Sequence, residues 1–237
     1  MDDAAIARLD WPDIFSRLEK DGFALLRGLL SMPDLESLND HVNARAAHDP
    51  HQSLEVLKLG RGTRYYHNDC LPAQLKRLPG AFYEQLAPIA NRWRRPASTD
   101  PTFSESYLEP TEAPDRLRPP CHVTSHHLHG GDFLTLHHDI GGESAFPIKL
   151  VMLLSATVAD FTGGEFVMVE QRPRMQSRPV VVQLVQGDIA LISVAERPCI
   201  GAKGVYRVKM RHAISPVGSG VRVSVDILFH APLGSVR

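Results

Sequence analysis

Hydrophobic positions recur at helical spacing in the first part of this chain and fall into short alternating runs in the second. Residues 11–20 read as a helix and 22–28 as a short strand. Ser31 then caps a helix with Pro33 in its first turn and Asp34 and Glu36 near its positive end, extending to about residue 47. A second long helix spans 79–95 and stops at Pro96. Residues 97–119, rich in proline and polar side chains, read as a loop or lid. From Cys121 onward short strands are separated by glycine and proline signals. The expected fold is mainly β with N-terminal helices, around a double-stranded β-helix (jelly-roll or cupin-like) core. It is expected to form one domain over 1–237, with mainly helical support in 1–97, a loop or lid at 98–119 and the core at 120–231.

Composition narrows the class. With 43% hydrophobic and 22% charged residues, a 237-residue chain can form a well-cored domain and is not of disordered type. No apolar run approaches membrane-spanning length and the acidic start lacks a signal-peptide pattern, so a cytoplasmic protein without membrane association is expected. Cys70, Cys121 and Cys199 are odd in number and widely spaced, as free thiols in a reducing compartment would be, and no CxxC pattern suggests zinc. A net charge of −1 and a pI near 6.9 fall short of the basic footprint of a dedicated nucleic-acid domain.

The chemistry concentrates in His137-His138-Asp139, His212, Arg222 and Ser224. On an extended segment 133–140, His137 and Asp139 leave the same face. Two histidines and one carboxylate can cap one side of an Fe(II) ion and leave positions open for a keto acid and O2. The turn-rich stretch 215–220 suggests a hairpin centred on Val217, with Gly218 left-handed, that would set Arg222 directly opposite His212. There its guanidinium, with the Ser224 hydroxyl, could hold the far carboxylate of 2-oxoglutarate.

Residue type alone is weak evidence, because this composition gives about one or two His-x-acid pairs by chance. His67-Asn68-Asp69 is such a decoy, with His138 downstream and Lys149 eleven residues after that. Its surroundings, 64–72, lack strand alternation and end at a turn, whereas 137/139 precedes the strand-like run 147–154. Arg92-Trp93-Arg94-Arg95 could line a nucleic-acid groove, but ends a helix, where cations favour the negative dipole end. His126, His127 and His129 precede the proposed iron strand, and only 127 and 129 share a face; they are expected to line the pocket. Arg172, Arg174 and Arg178 occupy a proline-containing connection suited to a solvated loop or a substrate clamp.

Taken together, the HxD pair, Gly163-Gly164-Glu165-Phe166, Gly187-Asp188, the distal histidine and Arg-x-Ser resemble the Fe(II)/2-oxoglutarate-dependent oxygenases. Segments 86–93 (LAPIANRW), 160–178 (DFTGGEFVMVEQRPRMQSR) and 204–212 (GVYRVKMRH) are similar to a bacterial subfamily associated with oxidative demethylation of damaged nucleobases. The resemblance implies that His137, Asp139 and His212 are iron ligands and Arg222 with Ser224 the 2-oxoglutarate anchor. It also implies a reaction using O2 that releases succinate and CO2 and hydroxylates an unactivated C–H bond. Retention of Asp139 favours hydroxylation over halogenation. The chain differs from the subfamily at 126–129, where a Gln–Tyr pair is expected, and at 54–69. The candidate substrate contacts are therefore Arg61, Arg64, Tyr65, Tyr66, His127, His129 and Arg174. A small-molecule substrate is the first expectation from charge. An alkylated nucleobase is the alternative from resemblance, and a non-oxygenase cupin-like isomerase or binding protein is a third reading.

Overall fold

Helix α1 spans Asp3–Ala7 and α2 spans Trp11–Asp21. The Asp10 carboxylate accepts the Asp13 backbone N–H at 3.1 Å and so caps α2. Trp11, Ile14 and Leu18 form its buried stripe, and Gly22, at φ 81°, closes the helix by donating its N–H to Leu18 O. Strand β1 (Phe23–Leu26) leads to α3 (Met32–Ala46). The Ser31 hydroxyl accepts the Asp34 N–H at 3.3 Å and donates to the Asp34 carboxylate at 2.6 Å, the capping expected from sequence. Strands β2 (His51–Ser53), β3 (Gly60–Arg61) and β4 (Thr63–Tyr66) follow, then α4 (Leu78–Trp93).

The remaining strands are β5 (Cys121–His129), β6 (Phe133–His137), β7 (Ala145–Leu153), β8 (Phe161–Gly163), β9 (Phe166–Gln171), β10 (Arg178–Val182), β11 (Ile189–Ser193), β12 (Glu196–Gly201), β13 (Gly204–Ile214) and β14 (Val217–His230). This computed structural model describes residues 3–46, 48, 50–67, 71–94, 103–104, 106–107, 121–139, 145–202 and 204–230. Apart from 103–104 and 106–107, the loop or lid expected at 98–119 lies outside the described residues.

Two antiparallel sheets face each other. The larger has the order β1-β11-β7-β14-β5-β4-β2 with β8 on β14, and the smaller β10-β9-β13-β6-β3 with β12 on β13. One apolar core lies between the helices and the outer face of the larger sheet, where Phe82, Leu86 and Trp93 meet Ile148, Leu150, Val225 and Ile227. A second lies between the sheets, where Leu128, Val151 and Leu153 meet Phe166, Met168 and Ile214. Covering both faces of the larger sheet explains its near-continuous apolar runs. No helix among the described residues is long and apolar enough to cross a membrane.

Two expectations are corrected here. The connection after Ile214 is not a hairpin: β13 pairs with β6, β9 and β12, whereas β14 pairs with β5, β7 and β8. The chain therefore changes sheets between them, and the left-handed glycine is Gly220 (φ 78°), not Gly218. Residues 63–66, expected to lack strand structure, form β4, because the edge of β5 supplies the hydrogen bonds that local alternation does not reveal. Together with β1, β2 and β3, this strand brings part of the expected helical region into the sheets.

Candidate active site

The small sheet creates the centre of the site. His212 on β13 is the direct cross-strand partner of His137 at the end of β6, with ring centroids 4.3 Å apart. A register shift follows between His212 and Ile214. Asp139 lies two residues beyond His137, and one ligand atom from each of the three residues lies within 4.8 Å of the others.

The protonation pattern suits a divalent metal. The His137 Nδ1–H donates to Thr135 O at 2.8 Å, which leaves Nε2 unprotonated in the neutral ring; that atom is buried and has no hydrogen-bond partner among the described residues. Burial depresses the His137 pKa and, with the Lys149 charge, holds that of His212 well below its ordinary value, so both imidazoles are neutral. Burial opposes ionisation of Asp139, but the charge and hydrogen bond of Lys149 outweigh it and keep the carboxyl below the usual carboxylate range. Two neutral imidazoles and one carboxylate fit Fe(II), and among the described residues His137 Nε2 and His212 Nδ1 are both buried without a hydrogen-bond partner.

The facing sheet supplies charges. Cross-strand registers Arg222↔Leu128, Ser224↔His126↔Arg64 and Asp226↔Thr124↔Tyr66 place these side chains on one face, together with Leu128 of the inter-sheet core. Arg222 is buried and its Nη1 donates to Ser224 Oγ at 2.9 Å. Its Nε has no partner among the described residues, and it lies over the Phe161 ring at 5.9 Å. Burial pushes its pKa down to about 10, so it stays charged at neutral pH. Among the described residues no carboxylate pairs with it, and a buried cation without a counter-ion fits an anionic ligand.

Sequence reasoning did not place Lys149 in this site. Its ammonium, on β7, lies 2.8 Å from Asp139 Oδ2, 2.9 Å from Asp226 Oδ2 and 3.1 Å from His212 Nε2. Burial lowers its pKa, but the two carboxylates outweigh this and the net shift is upward. The signal was a lone charge inside the apolar run 146–154, which must find partners once buried.

The substrate candidates separate by strand parity. Arg64 and Tyr66 face the triad sheet. Tyr65, His127 and His129 do not: Tyr65 packs edge-on against His127 at 4.7 Å on the opposite face of the larger sheet. Residue 126 is the inward histidine of the group; its Nε2 accepts Arg64 Nε–H at 2.9 Å. This corrects the expected face, which depends on which side of β5 the small sheet covers. Arg61 pairs with Asp132 at 2.8 Å, and Arg174 is an exposed residue at φ 61° in the turn after β9, so neither is brought to the triad by these contacts. The decoy His67 is buried against Ser125 Oγ at 2.8 Å, while Asn68 and Asp69 lie outside the described residues.

A family model described as an oxygenase catalysing oxidative methylation of damaged DNA matches residues 62–232. The chain belongs to this oxygenase family. Its match covers the triad and the Arg222–Ser224 pair, so the chain is a 2-oxoglutarate–Fe(II) oxygenase with the facial triad His137, Asp139 and His212. Two uncharacterized proteins of Mycobacterium tuberculosis, from strains CDC 1551 / Oshkosh and ATCC 25618 / H37Rv, are each 34% identical over 159 residues, covering 66% of this chain and 67% of theirs. The fold is similar to that of a Pseudomonas putida prolyl-4-hydroxylase (TM-score 0.60, 12% identity, 94% and 99% of the two chains). It is also similar to that of a 2OG-Fe(II) oxygenase-family oxidoreductase from Burkholderia pseudomallei (TM-score 0.55, 14% identity, 94% and 91%).

Proposed function

We propose that this oxygenase oxidises an alkyl carbon on a damaged nucleobase carried by a nucleotide or single strand. The family match supports the base. The observation that carries the anionic part is Arg64: it stands on the triad-facing side of β4 and, among the described residues, engages His126 through Nε alone, which leaves the two terminal guanidinium nitrogens for a phosphate. Bound iron, 2-oxoglutarate and O2 supply the oxidising equivalent, yielding succinate, CO2 and one oxygen atom for the substrate. At an N-methyl group, oxygen insertion converts N–CH3 to N–CH2OH. The C–N bond then breaks to release formaldehyde, and the hydroxyl proton is transferred to the base nitrogen.

In this reading His137, Asp139 and His212 hold the metal, and Arg222 with Ser224 holds the distal 2-oxoglutarate carboxylate. Arg64 orients the substrate anion, and Tyr66 borders the same face. A single strand or free nucleotide is favoured over duplex because Arg92, Arg94 and Arg172 of the basic clusters are engaged within the protein. Arg92 pairs with Glu19 at 2.7 Å, Arg94 lies over Phe103 at 5.6 Å, Trp93 is buried and Arg172 pairs with Glu170.

A second reading, hydroxylation of a small organic acid, is favoured by the net charge of −1, and Arg64 would hold the carboxylate. The test is aerobic incubation with Fe(II), ascorbate and 2-oxoglutarate in the presence of methylated nucleotides, single strands or duplexes. Formaldehyde and succinate in equal amounts from the first two support the proposal. Succinate without formaldehyde from every nucleic-acid substrate favours the second reading.

A further inference from the structure

The position of Lys149 carries a consequence for metal binding. Lysine has donors and no acceptor, so its 3.1 Å contact with His212 Nε2 requires Nε2 to be the unprotonated nitrogen. That nitrogen has one lone pair, and a metal at the triad needs the same one. Asp139 Oδ2, 2.8 Å from the ammonium, is likewise 3.8 Å from His212 Nε2, and Asp139 belongs to the converging ligand set. The third partner, Asp226 Oδ2 at 2.9 Å, is on β14, in the facing sheet, and is not part of that set.

We propose that Lys149, tethered by Asp226, is a positioning residue that holds Asp139 and His212 in place through their metal-binding atoms and is exchanged for the metal when it binds. The ammonium is the counter-charge that lets a buried carboxylate and imidazole converge, and Asp226 is the acceptor that retains it after exchange. Lys149 thus weakens the affinity for divalent cations, while Asp226 strengthens it by offering the ammonium another partner. The inference rests on the triad as the metal site and not on the choice of substrate.

Opposite effects of the two residues make the test decisive. Mn(II) and Co(II) binding to the full-length chain is measured by titration calorimetry, with folding checked by circular dichroism and thermal melting with and without metal. Removing the ammonium ends the competition and leaves two carboxylates near the ion, so Lys149→Met should bind at least about tenfold more tightly. It should also melt lower than wild type without metal and gain more from metal. Asp226→Asn leaves Lys149 with only the ligand atoms to hold, so its affinity should fall by about tenfold. Lys149→Gln should follow Lys149→Met and stands in for it should the methionine variant not fold.

Tight binding by wild type combined with unchanged or weaker binding by the folded neutral variants at 149 overturns the proposal. So does unchanged or tighter binding by Asp226→Asn. Absence of binding by wild type, indistinguishable from His212→Ala, overturns the metal assignment as well as this proposal.

Discussion

His137 and His212 are direct cross-strand partners in the smaller sheet, whereas Arg222 approaches from the facing sheet. Metal ligands and the proposed cosubstrate anchor therefore belong to separate walls. The distance between them depends on the packing of the inter-sheet core, and changes in that core should be felt at the site.

Replacing a triad residue should remove turnover. His212→Ala and Asp139→Ala are expected to reduce succinate formation to background and abolish stoichiometric metal binding. His67→Ala should retain metal binding, because His67 faces Ser125 and not the triad. Loss of metal binding in a folded His67→Ala protein would contradict this assignment.

Arg222→Met should separate stability from function. Loss of a charge-assisted contact to a carboxylate costs on the order of 2 kcal/mol or more, so the half-saturating 2-oxoglutarate concentration should rise by about thirtyfold or more. Without 2-oxoglutarate the variant should melt at or above the wild-type temperature, because it buries no unpaired charge. Addition of the same concentration of 2-oxoglutarate should stabilise wild type more than the variant.

Arg64→Ala should raise the substrate KM while leaving metal binding and half-saturating 2-oxoglutarate unchanged. Parallel steady-state measurements varying each component would check this. An equal rise for 2-oxoglutarate would move Arg64 from the substrate to the cosubstrate.

Stability should depend on pH through the histidines. Burial lowers the folded-state pKa of His126, His137 and His212 and takes His127 to about 4, against an ordinary 6.5. The unfolded chain then binds more protons below pH 6.5, so stability is fully present above that pH and is lost as pH falls toward 4. Thermal melting of metal-free protein should show a falling midpoint across this window. His127→Gln, which removes one such group from the back face, should flatten the decline.

Gly220 should resist substitution. A Cβ there would meet Asp160 O at 1.9 Å, and the backbone has φ 78°. Gly220→Ala is expected to cost about 1–3 kcal/mol in a denaturant unfolding experiment, by backbone strain and displacement of β8 from β14.

The sequence by itself determined the local chemistry. Helix caps at Asp10 and Ser31 depend on contacts within a few residues, and the same is true of the two-residue spacing that brings His137 and Asp139 together. Tertiary structure decided everything that depends on which surface covers which. Strand parity shows that His126 and His127 point to opposite faces, but in a run of histidines no hydrophobic bias marks the face turned toward the small sheet. The Pro216 turn could have closed a hairpin; β13 and β14 instead found partners in different sheets, and Arg222 faces the triad across the core. Lys149 and Asp226 are 77 residues apart and meet only because β7 and β14 are neighbours. A buried ammonium must find its partners wherever folding places them, and no local pattern records that choice.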